Sequence, residues 1–270
     1  QFFLSKEAAM AKGAALYFAE TVQPSMGIDP AFSKSRPDAN AILFSLNRSL
    51  PSEGYTLSVD NHMIEISAGD DAGFFYAIQT LLQLLPPYVY QPVYKPDQYT
   101  PSLTADIPCI LVKDYPAYRH RGMMLDVSRQ FYTVEYIKRF IDRMAVHKLN
   151  RFHWHLADDT GWRIEIKKYP FLTDKGAWRG PGEVLPTTYG HAGQRYGGFY
   201  TQEDIREIVA YAAARHIEII PEIDLPGHSK AAIASYPNIL CDLTGEVELS
   251  IQGVSNNVWC ASYEKNYQML

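Results

Sequence analysis

The amino-acid sequence predicts an α/β protein: a partial (β/α)8 TIM barrel at residues 114–270, preceded by a small α+β domain at residues 1–113. Three observations lead to this prediction. The first region shows paired strand patterns beside one apolar helix, whereas the second alternates strand and helix. In the second region, ionisable residues also cluster where each strand ends, which is typical of the active face of a TIM barrel.

The first domain is predicted from its alternation and its prolines. Alternating apolar and polar residues in YTLSVDNHMIEISAGD predict two antiparallel strands with a turn at Asp60 and Asn61. The apolar segment DAGFFYAIQTLLQLLP predicts a helix that ends before Pro86 and Pro87. A connector with several prolines then extends to Cys109, which places the domain boundary near residue 113.

The second domain begins with two strand-like segments, RHRGMMLDVSR and NRFHWHLADDTGWRIEI, on either side of the helix-like TVEYIKRFIDRMAVHK. The helix-like YTQEDIREIVAYAAARH then leads into a third strand, IEIIPEIDLPGHS. Such alternation is typical of a parallel sheet with right-handed crossovers. Residues 171–199 have no clear period and are predicted to form a long loop.

The second domain is short for a complete barrel. A (β/α)8 barrel needs at least about 200 residues, whereas this region shows three strand-helix units and the start of a fourth. We therefore expect a truncated barrel, whose uncovered sheet edge favours association between molecules.

Polar residues follow each of the three predicted strands. Because the carboxyl ends of parallel strands share one edge of the sheet, we expect these side chains to converge. In chain order they are Asp126, Arg129, His153, His155, Asp158, Asp159, Glu222, Asp224 and His228.

His153 and His155 are separated by one residue on a strand, so both should point to the same face. This spacing is common among metal ligands, and a metal-dependent hydrolase is therefore one alternative, which metal analysis of the purified protein would decide. The other alternative is that both histidines are buried and hydrogen-bonded while a neighbouring carboxylate acts.

Pro226 and Gly227 predict a sharp turn that returns His228 toward the carboxylate of Asp224. A carboxylate in that position fixes the tautomer of an imidazole and raises its basicity. The alternative is a capping turn with a histidine at the surface.

Arg129 lies just past the end of the first strand of the second domain. A guanidinium there can grip vicinal hydroxyls or a carboxylate in a fixed fork geometry. The alternative is a salt bridge to Asp126 or Asp158.

Composition and charge exclude several functional classes. The net charge is −5 and no long basic run is present, so nucleic acid is not a predicted partner. No apolar run approaches the roughly 18 residues of a membrane span, and residues 1–20 lack the features of a signal peptide. Cys241 and Cys260 bracket a polar stretch, where either two free thiols or a disulfide typical of an oxidising compartment can occur.

Three segments of the second domain resemble, in order and spacing, the family 20 glycoside hydrolases, the β-N-acetylhexosaminidases. They are HRGMMLDVSRQF, KLNRFHWHLADDTGWRIEI and GGFYTQEDIREIVAYAAARHIEIIPEIDLPGHSKAAIASYP. The segment DDAGFFYAIQTLLQLL is similar to the small α+β domain that precedes the barrel in that family.

The resemblance implies a role for individual residues. Arg129 would bind the ring hydroxyls of a terminal N-acetylhexosamine, and Asp158, Asp224 and His228 would support the catalytic acid. It also implies a disulfide between Cys241 and Cys260 and hence a secreted or periplasmic location. No cofactor is implied, and the implied partner is an oligosaccharide that ends in N-acetylhexosamine.

The implied reaction is exo-acting, retaining and substrate-assisted, unlike the usual two-carboxylate scheme. The acetamido oxygen of the substrate attacks the anomeric carbon, an aspartate orients the acetamido nitrogen, and an adjacent glutamate protonates the leaving oxygen. In the family this pair lies in a Gly-Gly-Asp-Glu segment, which these 270 residues do not contain. We therefore expect the 270 residues alone to be inactive, and a non-catalytic sugar-binding or scaffold protein is the alternative.

Overall fold

The computed structural model describes residues 1–90, 104–191, 193–241 and 258–269. The chain divides into two compact units, Gln1–His120 and Arg121–Leu270. None of the helices in the described ranges has the length and apolar character needed to span a membrane.

In its described residues, the first unit contains a five-stranded sheet and two α-helices. Its elements are β1 (Phe2–Leu4), α1 (Lys12–Met26), β2 (Ala41–Leu46), β3 (Tyr55–Val59), β4 (Met63–Ala68), α2 (Asp71–Leu84) and β5 (Ile110–Asp114). The strand order is β1-β2-β4-β3-β5, in which β2 is parallel to β1 and β4, and β3 is antiparallel to β4 and β5.

The predicted hairpin and helix of the first unit are confirmed. Asp60 makes the turn between β3 and β4, where its Oδ1 accepts the N–H groups of His62 at 2.7 Å and Met63 at 2.8 Å. These two hydrogen bonds to the carboxylate lower the pKa of Asp60. Helix α2 begins at the cap residue Asp70, whose Oδ1 accepts the N–H of Gly73 at 2.9 Å.

The second unit alternates strands and helices around a parallel sheet. Its elements are β6 (Gly122–Asp126), α3 (Val134–Val146), β7 (Arg151–Asp158), β8 (Gly161–Trp162), α4 (Phe171–Asp174), β9 (Trp178–Arg179), β10 (Tyr196–Gly197), α5 (Gln202–Ala213), β11 (Glu218–Ile223) and α6 (Lys230–Ser235). Strand β7 lies between β6 and β11 and is parallel to both.

The second strand-like segment ends as β7 at Asp158, at the predicted polar cluster, and the chain then returns as β8, which is antiparallel to β7. One local prediction for this unit was wrong. The loop predicted at residues 171–199 contains α4 and a two-stranded ribbon of β9 and β10. Elements of two to four residues are too short to produce a recognisable period.

One face of β7 packs against the helix side of the sheet. The ring of Phe152 lies 5.3 Å from that of Phe140 on α3, and the ring of Trp154 lies 4.8 Å from that of Tyr200, just before α5. Phe152, Trp154 and Tyr200 are fully buried. This apolar packing fixes which face of β7 is turned away from the helices.

The opposite face of β7 carries His153 and His155, because successive side chains of a strand alternate. In the sheet register, His155 lies between Asp126 of β6 and Glu222 of β11. The register therefore aligns the polar ends of three strands, as the sequence predicted.

Helices α3 and α5 are joined on the outside of this sheet. Asp142 of α3 accepts hydrogen bonds from the hydroxyl of Tyr211 at 2.9 Å and from Nε of Arg215 at 2.7 Å. Helix α5 starts with a capping box, in which Thr201 Oγ1 accepts the N–H of Asp204 at 3.1 Å and the Asp204 carboxylate accepts the N–H of Thr201 at 2.8 Å.

The guanidinium of Arg163, which is 0% exposed, joins the loops around the end of β7. It donates to four backbone carbonyls at 2.5–3.0 Å, those of Val127, Ser128, Ala177 and Gly198. Burial lowers the pKa of Arg163 to about 10, so the side chain is still charged at neutral pH. One buried cation thus fixes three separate loop segments.

Close packing against a neighbouring side chain explains two glycines of these loops. A Cβ on Gly161 would fall within 3.0 Å of the Arg163 guanidinium. Gly198 has a φ of +153°, and a Cβ there would come equally close to the ring of Phe131. A larger residue at either position would displace the loop.

We predict that Arg163→Met destabilises the second unit by roughly 3 kcal/mol or more, because it leaves four carbonyls without their donor. Urea denaturation followed by tryptophan fluorescence measures the change in unfolding free energy. Arg206→Met is the matched control, since Arg206 makes exposed contacts on α5 and should change stability by less than about 0.5 kcal/mol. Equal stability of the two variants would contradict the assigned role of Arg163.

Candidate active site

The turn after β6 fixes Arg129 through both its backbone and its side chain. Asp126 Oδ1 accepts the N–H groups of Ser128 at 3.0 Å and Arg129 at 2.9 Å, while its Oδ2 lies 2.6 Å from Nη1 of Arg129. Nη1 of the buried Arg179 donates to the carbonyl of Arg129 at 2.9 Å. Arg129 therefore has little freedom to move relative to the sheet.

The carboxylate of Asp158, at the end of β7, is the centre of the polar cluster. Its side chain is only 2% exposed, and its Oδ2 lies 2.8 Å from Nη2 of Arg129 and 2.9 Å from Nε2 of His155. Its Oδ1 accepts the N–H of Asp159 at 2.6 Å. Burial alone would raise the pKa of Asp158, but the bonds from His155 and Asp159 and the charge of Arg129 outweigh it and lower that pKa.

His155 connects Asp158 to the neighbouring strand β11. Its Nδ1 lies 2.8 Å from Oε2 of Glu222, which also contacts Nε2 of His153. Burial opposes the charged imidazole, but the carboxylates of Asp158 and Glu222 outweigh it and raise the pKa of His155 to about 9. The same contacts lower the pKa of Glu222.

The geometry of Arg129 is compatible both with a salt bridge to the carboxylates and with binding of a ligand. Arg129 pairs with Asp126 and with Asp158, yet its side chain is 33% exposed. Those two carboxylates outweigh the opposing effect of burial and raise the pKa of Arg129. The guanidinium is thus held in place at an accessible position.

The predicted position of His228 against Asp224 was wrong. Nδ1 of His228 lies 3.3 Å from Oδ1 of Asp158 and 3.3 Å from Oδ2 of Asp159. The reason is that Asp159 also accepts the backbone N–H of Lys230 at 3.1 Å, which brings the start of α6 to the end of β7. Burial and the neighbouring Asp158 raise the pKa of Asp159.

Asp224 nevertheless belongs to the cluster. A carboxylate oxygen of Asp224, a ring nitrogen of His155 and a carboxylate oxygen of Asp158 all lie within 4.8 Å of one another. The structure therefore brings Asp158, Asp224 and His228 together beside Arg129, although the pairing among them differs from the one predicted.

Cys241 and Cys260 form a disulfide in the structure, with their sulfur atoms 1.96 Å apart. Beside Cys260, the backbone N–H of Trp259 donates to the carbonyl of Pro226 at 2.8 Å, and the indole is buried in the apolar cluster behind α6. The residues next to the bridge thus contact the turn that carries His228.

Two sets of side chains in the cluster are close enough for their donor atoms to converge on one cation. One is His155, Asp158 and Asp224, and the other is Asp158, Asp159 and His228. Both sets include Asp158, which already pairs with Arg129 and His155, so a metal ion would have to displace a guanidinium or an imidazole. We assign no metal ligands here.

Sequence reasoning missed the roles of Arg163 and Arg179, and it assigned no partner to Glu222. A single arginine in the apolar segment GWRIEI was the available signal for Arg163. Its partners are backbone carbonyls, which leave no trace in the sequence. The pairing of Glu222 with His153 and His155 depends on the register between β7 and β11.

Both parts of the chain match models of one family. Residues 118–270 match the model described as glycosyl hydrolase family 20, catalytic domain, and residues 2–115 match the model described as glycosyl hydrolase family 20, domain 2. A β-hexosaminidase of Vibrio furnissii is 46% identical over 230 residues, which cover 85% of this chain and 36% of that protein. The chain thus spans about a third of the length of this relative.

Solved structures give the same result. The exo β-N-acetylglucosaminidase of Vibrio harveyi in complex with N-acetylglucosamine has a TM-score of 0.85 and 42% identity, and the match covers 99% of this chain and 39% of that one. The β-N-acetylhexosaminidase of Streptomyces coelicolor has a TM-score of 0.81 and 34% identity, with 100% and 51% covered. These likenesses confirm the predicted fold class, a partial TIM barrel preceded by a small α+β domain. The chain belongs to glycosyl hydrolase family 20.

Proposed function

We propose that this chain forms the sugar-recognition part of a β-N-acetylhexosaminidase, an exo-acting hydrolase that removes terminal β-linked N-acetylhexosamine. The observation that carries the proposal is the accessible guanidinium of Arg129, fixed by Asp126 and Asp158 beside Asp224 and His228. The relatives include a β-hexosaminidase and an exo β-N-acetylglucosaminidase solved in complex with N-acetylglucosamine, which supports the class of substrate.

Arg129 is suited to bind vicinal hydroxyls of a terminal sugar ring. A guanidinium carries five N–H donors in a planar fork, and Asp126 and Asp158 each take one contact from the two Nη atoms of Arg129. The remaining donors can face a ligand, because a third of the side chain is exposed. Since its orientation is fixed in advance, little conformational entropy is lost on binding.

The proposed reaction is substrate-assisted and retains the anomeric configuration. The acetamido oxygen of the sugar attacks the anomeric carbon while a carboxylic acid protonates the leaving oxygen, and water then opens the cyclic intermediate from the opposite face. Asp158, Asp224 and His228 would hold the proton affinity of that acid in its working range. The acid and the carboxylate that orients the acetamido nitrogen are expected in a Gly-Gly-Asp-Glu segment, which the 270 residues do not include.

A second candidate is a sugar-binding or scaffold protein without catalysis on the same fold, which the accessible guanidinium of Arg129 would serve equally well. Both candidates need Arg129 for binding. They differ in whether the reading frame continues past Leu270 into an adjacent aspartate and glutamate.

For the enzyme, we predict that the product of the complete reading frame hydrolyses 4-nitrophenyl β-N-acetylglucosaminide, whereas residues 1–270 alone do not. Arg129→Met in the complete product should lower kcat/KM by roughly 10- to 100-fold, because a charged hydrogen bond to the sugar is lost. Arg206→Met, on the exposed side of α5, is the control and should leave kcat/KM unchanged. If the protein encoded by the complete reading frame does not hydrolyse this substrate, the proposed enzymatic function is wrong. If residues 1–270 alone turn it over, the missing Asp-Glu pair is not required.

We also propose that residues 1–270 associate through the edge of the sheet at β6, where Met123 and Met124 are about half exposed. Light scattering should give a mass above that of the 30.6 kDa monomer. Met123→Lys should reduce this association, because a charged edge resists pairing, whereas Met10→Lys, at an exposed methionine of the first unit, should not. A monodisperse monomer would contradict the proposal.

A secreted or periplasmic location is proposed from the bridge between Cys241 and Cys260, since disulfides persist in oxidising compartments. Fractionation of the source cells should recover the protein outside the cytoplasm. Alkylation before reduction should modify Cys109 alone, the free and exposed cysteine, and all three cysteines after reduction. Recovery in the cytoplasm with all three thiols reactive would overturn this location.

A further inference from the structure

The imidazole of His155 lies between carboxylates of two different structural segments. Nε2 is 2.9 Å from Oδ2 of Asp158, and Nδ1 is 2.8 Å from Oε2 of Glu222. His155 is buried, so water cannot replace either contact. Both ring nitrogens are therefore committed to carboxylate oxygens.

This geometry fixes the protonation state of the ring. An ionised carboxylate only accepts hydrogen bonds, and a neutral imidazole carries one N–H and one lone pair. A neutral His155 would direct its lone pair at Asp158 or at Glu222, which is repulsive. Only the imidazolium, with two N–H donors, satisfies both contacts.

The charged ring of His155 in turn determines which contacts each carboxylate oxygen of Asp158 makes. Oδ2 of Asp158 faces two cations, His155 and Arg129, and Oδ1 accepts the N–H of Asp159. The direction left open at Oδ1 faces Nδ1 of His228 at 3.3 Å. An ionised Asp158 in this orientation attracts Nδ1 of His228, which lies at the same distance from Oδ2 of Asp159, and leaves Nε2 of that ring outside these contacts.

The surroundings of His155 favour its positive charge. The groups that face it come from all three strands and from the loops that follow them. They are Asp126 on β6, His153 and Asp158 on β7, Glu222 on β11, and Arg129, Asp224 and His228 in the loops. Four carboxylates in this set oppose one guanidinium and two further imidazoles, and the raised pKa of His155, about 9, agrees with this balance.

We propose that His155, anchored by Glu222, is a positioning residue that stays protonated and keeps Asp158 ionised and oriented toward Arg129 and His228. This inference rests on the proposed function and adds to it a residue pair that acts through Asp158 without touching the sugar. A purely structural role would need only a side chain that fills the space and forms neutral hydrogen bonds.

The charge of His155 is tested on residues 1–270 without any enzymatic activity. NMR of protein labelled with ¹⁵N at histidine, assigned with His155→Gln, should show both ring nitrogens of His155 protonated at pH 7. Glu222→Gln keeps the shape of the partner but removes its charge, and it should lower the pKa of His155 by roughly one unit or more. A neutral tautomer of His155 at pH 7 in the unaltered chain would overturn the proposal.

Kinetics of the complete reading-frame product test the positioning role. Glu222→Gln should move the alkaline limb of kcat/KM to lower pH, in step with the pKa measured by NMR. Glu218→Gln is the control, because Glu218 lies on the same strand but pairs with Arg151. It should change neither the alkaline limb of kcat/KM nor the pKa of His155. His155→Gln retains a neutral donor and should lower kcat/KM by roughly 10- to 100-fold at every pH.

The two proposals fail in different ways. If the complete reading-frame protein does not hydrolyse the substrate, the proposed function is wrong, but the NMR spectrum still decides the charge of His155. If hydrolysis is present and Glu222→Gln shifts the pKa of His155 without moving the alkaline limb, the positioning role is wrong.

Discussion

The buried carboxylate of Asp158 is the constraint on which the arrangement of this site depends. A charge that is removed from water is stable only if partners replace its hydration. Here those partners come from separate segments: Arg129 after β6, His155 within β7 and His228 before α6. The need to pair one carboxylate therefore explains why the loop after β6 and the turn before α6 converge at the end of β7.

Arg163 and Arg129 both lie near this part of the fold, but their burial and their partners suit them to different roles. Arg163 is fully buried and, within the described part of the chain, bonds only to neutral carbonyls, so its four hydrogen bonds serve the loops. Arg129 pairs with carboxylates and remains partly exposed, so its charge is fixed in position without being enclosed. The sequence pattern alone does not distinguish them, because each belongs to a strand-like segment that carries polar residues.

The sequence predicted the members of the site better than the contacts among them. Asp126, Arg129, Asp158, Asp224 and His228 could be found because parallel strands end at one edge of a sheet. The partner of His228 could not, since it depends on the docking of α6 against Asp159. The His155–Glu222 contact likewise depends on a register that no local pattern specifies.

The balance of charge in the site agrees with the chemistry proposed for it. Carboxylates of Asp126, Asp158, Glu222 and Asp224 outnumber the cations Arg129 and His155. A glycosidic bond that breaks through an oxocarbenium-like state places positive charge on the sugar. A fixed excess of negative charge stabilises that state more than the neutral substrate, and because the carboxylates are already oriented, no reorganisation is needed when the charge develops. A site built only to bind a neutral sugar would gain nothing from gathering so many carboxylates around one position.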